Sequence, residues 1–136
     1  LVETFRKVLQ DAAIIPPERG LLVKTQFEEA IWVDSKLATV MSMVLIEIVT
    51  NAVKHAFPKR RPGCISVGLS AGNSDMTIVI GDDGIGIAQA ERASGLHIIE
   101  ALVAQAGGSL TLETEPEKGT AYTIILPRPE AEPPPE

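Results

Sequence analysis

Residues 45–57, LIEIVTNAVKHAF, carry Glu47, Asn51, Lys54 and His55 within an otherwise apolar run. At about 3.6 residues per turn, their spacing sets these side chains along one stripe of a helix. Met41, Val44, Leu45, Ile48, Val49 and Ala52 fill the other faces, so the stripe interrupts a helix that is otherwise buried on nearly every side. A carboxylate, an amide and a cation buried without partners cost roughly several kcal/mol. They therefore either satisfy one another in a core network or face a polar ligand in a cavity.

Outward from this run, Asp34 or Ser35 is placed to cap the helix, and Pro58 follows its expected end at Phe57. Upstream, Leu1, Val2, Phe5, Val8 and Leu9 predict a first helix over Leu1–Ala13 that stops before Pro16 and Pro17. Leu21–Val33 predicts two short strands, because its alternation changes sense around Glu28 and Glu29. Downstream, Cys64–Ala71 and Met76–Ile80 predict a hairpin turning through Gly72, Asn73 and Ser74. Leu96–Ala106 predicts a helix closed by Gly107 and Gly108, and Ser109–Thr114 pairs with Thr120–Leu126 through the PEKG turn. This order implies an α+β sandwich, a sheet covered on one face by helices. Residues 1–127 form the expected domain, and the acidic, proline-rich tail 128–136 is expected to have no stable fold of its own.

The bulk composition narrows the function classes. At 136 residues and 45% hydrophobic content the chain is long enough for one domain with a real core. Twelve Lys and Arg against 18 Asp and Glu, a net charge of -6, argue against a nucleic-acid surface. KHAFPKRRP is a basic cluster that suits a solvated helix end. Cys64 is the only cysteine, which excludes an internal disulfide and points to a reducing, cytoplasmic setting. One Cys with His55 and His97 is too few ligands for a structural zinc cage. No apolar run is expected to cross a membrane, no signal peptide opens the chain, and a start at Leu1 suggests a fragment of something longer.

Three further segments carry chemistry. GDDGIGI, residues 81–87, follows an apolar strand, where glycines allow close backbone approach and carboxylates can meet a ligand. It is no Walker loop, and Gln89 stands where a dinucleotide fingerprint needs its third glycine. Ser94-Gly95-Leu96 stands immediately before the predicted last helix, where free backbone amides and the helix dipole favour a phosphate, although an ordinary serine cap looks the same. Gly119-Thr120 opens the last strand with a hydroxyl and an N–H that could reach the same anion.

Taken in order, these segments resemble the ATP-binding catalytic domain of sensor histidine kinases, the GHKL or Bergerat ATPase fold. LIEIVTNAVKHAF looks like the N box, GDDGIGI like the G1 box, SGLHIIEALVAQAGGSL like the G2 region, and KGTAYTIILP like the closing GT strand. The KHAF ending and the short passage from G1 to G2 look most like the HisKA_2 and HWE subgroups. The resemblance covers roughly Leu1 to Pro127 and implies a two-layer sandwich with a mixed, mostly antiparallel sheet.

By this resemblance, the cofactors are ATP and magnesium. Asn51 would coordinate magnesium through its amide oxygen, and Glu47 would hold a metal-bound water or orient the attacking group. Lys54 and His55 would sit beside the phosphates. Asp82 would accept a hydrogen bond from the adenine amine, Gly84 and Gly86 would let the backbone pass close to the base, Gly95 and Leu96 would offer amides to the phosphates, and Thr120 would close the adenine end. There are departures: Ala93 replaces the first glycine of the G2 box, AQAERAS is a short lid without an aromatic, and Asp83 adds a negative charge.

The implied reaction moves the ATP γ-phosphoryl group to a histidine. Neither His55 nor His97 lies in a dimerisation helix, so the acceptor would belong to the dimerisation and histidine-phosphotransfer helices of the parent kinase, with a response regulator downstream. An anti-sigma-factor serine kinase of the same fold is an alternative. A degenerate, non-catalytic domain that docks a response regulator is another.

Overall fold

The computed structural model describes residues 1–11, 14–28, 31–56, 63–72, 74–85, 89–115 and 117–127, without the side chains of Glu18, His55, Ala56 and 89–95. In chain order its elements are α1 (Val2–Leu9), a 3-10 turn (Pro17–Arg19), β1 (Leu22–Phe27), α2 (Ser35–Asn51) with a π turn (Ala52–Ala56), β2 (Cys64–Ala71), β3 (Asp75–Asp82), α3 (Gln89–Gln105), β4 (Ser109–Glu115) and β5 (Gly119–Pro127).

The sheet has the order β1-β2-β3-β5-β4. β1 runs parallel to β2, and every other pairing is antiparallel. Period-two alternation aims Ile65, Val67, Leu69, Met76, Ile78, Ile80, Ile124 and Leu126 at one face, where all are buried. Met41, Val44, Leu45, Ile48 and Val49 of α2 belong to the same core cluster, as do Ile99 and Val103 of α3 and Val2 and Phe5 of α1. The mixed sheet with helices on one face is the expected sandwich.

Asp34 is the cap that α2 uses: its Oδ1 accepts the Leu37 N–H at 2.8 Å. Ser35–Lys54 is long and apolar enough to cross a membrane by length and composition, contrary to expectation. The packing gives the physical reason for that apolarity, since Leu45 and Val49 are completely buried within the sandwich. The regular helix ends at Asn51 rather than Phe57, and a wider π turn carries the chain on to Ala56. Arg19 Nη1 donates to the Val53 carbonyl in that turn at 2.9 Å. Phe57 lies outside the described residues.

The predicted helix over Leu1–Ala13 is shorter, Val2–Leu9, and Phe5 packs edge-on against Phe27 with ring centroids 6.3 Å apart. Of the two strands expected in Leu21–Val33, β1 forms. Its neighbour β2 ends at Ala71, where Glu28 takes the last edge bonds, donating its N–H to Leu69 O at 2.9 Å and accepting the Ala71 N–H. Residues 31–33 form no strand; the Ile31 carbonyl accepts from the Leu1 ammonium at 3.5 Å, and the Ile31 side chain enters the core.

The helix predicted from Leu96 begins at Gln89. Its end is as expected: Gly107 takes φ +79°, and the Gly107 and Gly108 N–H groups return to Ala104 O and Val103 O, each at 3.0 Å. That double return is a Schellman closure. Residues 128–136 lie outside the described residues.

Candidate functional site

α2 supplies the first part of the site. Glu47 and Asn51 are half-buried, one turn apart, while Ile48, Val49, Ala52 and Val53 beside them are buried. The stripe therefore exists, and it opens at the edge of the core. Lys54 is exposed, as the next residue of the stripe. The His55 backbone lies in the π turn; its side chain is outside the description.

β3 and β5 supply the second part. Asp82 and Thr120 are register partners at the end of the pairing. Thr120 is 3% exposed, the one buried polar side chain among the described residues. Asp82 Oδ1 accepts the Gly84 N–H at 2.9 Å. Burial pushes the Asp82 carboxyl above its usual range; the backbone N–H of Gly84 works against this, Asp83 adds to it, and the Thr120 N–H opposes it.

Gly119 explains the close approach of the two strands. It has φ +97°, and a β-carbon there would run into the Asp82 carbonyl oxygen and lie 2.9 Å from the Asp82 carbonyl carbon. The turn before it is tied to the glycine loop, because the Glu117 N–H donates to Ile85 O at 2.9 Å. Neither the Ile85–Glu117 bond nor the Thr114 hydroxyl 3.0 Å from that of Thr120 was expected from the sequence. Facing threonines six residues apart around a PEKG turn were the available signal.

The two parts lie at the same end of the sandwich. Arg19 binds the π turn after Asn51 and leads within three residues into Leu22, which pairs with Cys64; the next residue, Ile65, pairs with Asp82. Asp83, expected as an added charge beside the site, accepts the Cys64 N–H at 2.7 Å and so continues the β2–β3 ladder. Gly84 is buried at the start of the glycine loop, and Gly86 lies outside the described residues.

Gly95 and Leu96 require a correction. They were expected ahead of the last helix, but they are the seventh and eighth residues of α3. Only the first four N–H groups of a helix lack intrahelical partners, so in this conformation the Gly95 and Leu96 amides belong to the helical ladder. Two hollows of about 970 and 520 Å³ do occur among the described residues. The larger is lined by residues of β1, β2 and β3 such as Ser66, Gly68 and Thr77, the smaller takes in Asp82, Thr114 and Thr120 beside Gly81, and neither is lined by Asn51.

The donor set suits magnesium only in part. Glu47 and Asn51 are two hard-oxygen ligand side chains, and no cluster of three or more His, Cys, Asp or Glu that could hold a metal occurs among the described residues. That fits an ion bound mainly by phosphates and water, not one held in a protein cage.

The family model described as histidine kinase-, DNA gyrase B-, and HSP90-like ATPase matches residues 37–130. The chain belongs to this ATPase family. The match takes in α2 from Leu37 onward, β3 with the glycine loop, and the β4–β5 hairpin, the elements that build both parts of the site.

Among curated proteins, the sensor histidine kinase PdtaS of Mycobacterium tuberculosis is 35% identical over 101 residues, covering 69% of this chain and 20% of that protein. The nitrate/nitrite sensor protein NarQ of Escherichia coli is 29% identical over 143 residues, covering 97% and 25%. The chain thus spans about a fifth to a quarter of these relatives.

Solved structures agree on the fold of this family. A histidine kinase domain from Erythrobacter litoralis EL346 superposes with a TM-score of 0.76 at 24% identity, covering 92% of this chain and 61% of that one. The catalytic domain of histidine kinase ThkA gives 0.74 at 17% identity, with 93% of each chain covered.

Proposed function

We propose that this chain is the ATP-binding catalytic part of a sensor histidine kinase, transferring the γ-phosphoryl group of ATP to a histidine on a separate dimerisation helix. The observation that carries the proposal is the placement of half-buried Asp82 and its register partner, buried Thr120, at the same end of the fold as the half-buried Glu47 and Asn51. A base-reading acid and a pair of hard-oxygen donors so placed suit the two ends of one nucleotide.

In this mechanism Asp82 accepts from the adenine amine, and Thr120 closes the pocket beside it. Asn51 and Glu47 hold the phosphate end, with Glu47 also orienting the attacking imidazole of the acceptor helix. Lys54 and His55 offset phosphate charge as the γ-group is passed on. Magnesium, when bound, neutralises charge on the phosphates and aligns them for transfer. Orientation and electrostatics at these residues supply the catalysis. The phosphoryl group then goes to an aspartate of a response regulator. The lone free thiol, Cys64, suits a reducing, cytoplasmic setting.

One observation favours a second reading. With the Gly95 amides inside α3, the phosphate end has fewer free donors, as in a non-catalytic domain that docks a response regulator. Calorimetry with a non-hydrolysable ATP analogue and magnesium separates the two. Micromolar to millimolar binding, weakened about tenfold or more by Asn51→Ala and by Asp82→Asn, is expected of the kinase. Absence of binding by the wild-type chain supports docking, and wild-type affinity in both variants removes the assigned site.

A further inference from the structure

Thr114 and Thr120 are register partners in the β4–β5 ladder, with their hydroxyl oxygens 3.0 Å apart. Thr114 Oγ1 also lies 3.3 Å from the Gly119 carbonyl. Each hydroxyl has one hydrogen to give and lone pairs to accept with. The Thr114 hydrogen therefore has a choice of acceptor, and the Thr120 oxygen is the nearer, the Gly119 carbonyl lying beyond the ordinary O–H···O range.

Once Thr114 donates to Thr120, the Thr120 oxygen is an acceptor on its strand side, and its own hydrogen is left for what lies in front of it. A hydroxyl that accepts one hydrogen bond is polarised into a better donor of the next. Asp82, across the β3–β5 pairing, is an acceptor held in place by the Gly84 N–H. An acceptor beside a donor complements the edge of adenine, where an amine stands next to the unprotonated ring nitrogen N1. Guanine offers a carbonyl and a ring N–H in the opposite order.

We propose that Thr114 is a positioning residue for base recognition: it donates to Thr120 and so commits the Thr120 hydrogen to N1 of adenine. This rests on the nucleotide site proposed above and assigns a role there to a residue outside the four sequence boxes.

The test is calorimetry of the purified chain with magnesium and either ADP or an ADP analogue in which N1 is replaced by a CH group. Thr114→Val keeps the shape of the side chain and removes its hydroxyl. It should weaken ADP binding about threefold to tenfold and leave the analogue unchanged, so that the ratio of the two affinities falls. Thr114→Ser should restore the wild-type ratio. A thermal melt checks folding, and Thr114→Ala is read in the same way should the valine variant not fold.

An unchanged affinity ratio in the hydroxyl-less variants overturns the proposal, whether both ligands weaken equally or neither does. Wild-type chain that binds no ADP removes the nucleotide site itself, and this role with it. Wild-type binding with an unmoved ratio removes the role of Thr114 alone.

Discussion

Gly119 lies directly against the Asp82 peptide, in a backbone conformation of φ +97° that leaves no space for a β-carbon. The contact holds the start of β5 against the end of β3, and with it the register that sets Thr120 opposite Asp82. Gly119→Ala should therefore be destabilising by about 2–4 kcal/mol, through both the strained φ and the overlap with backbone that cannot rotate away. A thermal melt should show a drop of about 5–15 °C. Nucleotide affinity, measured below the melting range, should fall as well. A melt within about 1 °C of wild type would show that the strands part without cost.

If Asp82 reads the base as proposed, nucleotide binding should be sensitive to pH. Burial raises its pKa, so the carboxylate is lost on acidification earlier than an exposed aspartate would be. Only the ionised form accepts from the adenine amine without a proton in the way, so ADP affinity should decline as pH falls through that raised value. Asp82→Asn should bind weakly with little pH dependence over the same range. The stability effect has the opposite sense. A carboxyl with a raised folded pKa contributes stability fully below its unfolded pKa and loses it as pH rises through the folded value. Asp82→Asn should accordingly melt no lower than wild type at neutral pH in the absence of nucleotide, and a lower melt would mean that the charge is held by partners that compensate its burial.

Arg19 connects the entrance of β1 to the turn after Asn51, through its 2.9 Å bond to the Val53 carbonyl. Carbonyls at a helix end are otherwise left to solvent, and a guanidinium there also suits the helix dipole. Arg19→Ala should cost about 1–2 kcal/mol in stability and, by loosening the π turn, weaken phosphate-end binding more than base-end binding. Comparing the affinities for ATP, ADP and adenosine in the variant and the wild type checks this. The loss should grow with the number of phosphates, and an equal loss for all three ligands would mean that the turn does not hold Lys54 and His55 in place.

The legible parts of the sequence were those governed by period and punctuation. The 3.6-residue period of α2, the alternation in Cys64–Ala71 and the paired glycines at 107 and 108 each report a local rule, and each stands in the structure. What was not legible depends on partners distant in sequence. Residues 31–33 have strand-like composition, but Ile31 is buried in the core and its carbonyl is held by the Leu1 ammonium, a partner thirty residues away. The π turn depends on tertiary contacts such as the one from Arg19. In the site, Asp82 and Thr120 stood in recognisable boxes, whereas the hydroxyl of Thr114 becomes meaningful only when the β4–β5 register sets it opposite Thr120. The start of α3 is hidden by Ser94 and Gly95, which resemble a cap but lie inside the helix, because the good helix formers of AQAERAS extend it back to Gln89.

Gly95 separates two possible uses of α3. In the structure it is an interior helical residue, where glycine is less favourable than alanine by about 1 kcal/mol. Gly95→Ala should thus stabilise the nucleotide-free chain, raising its melt by about 2–5 °C. If the phosphates are bound by the Gly95 and Leu96 amides, the first turns of α3 must unwind to release them, and the same substitution makes that unwinding more costly. Affinity for ATP would then fall about fivefold while adenosine affinity stays constant. A higher melt with unchanged ATP affinity would mean that α3 stays wound with nucleotide bound, leaving the phosphates to Asn51, Lys54 and His55. A lower melt would show that Gly95 needs a conformation which alanine cannot adopt, and that the helix begins later in solution.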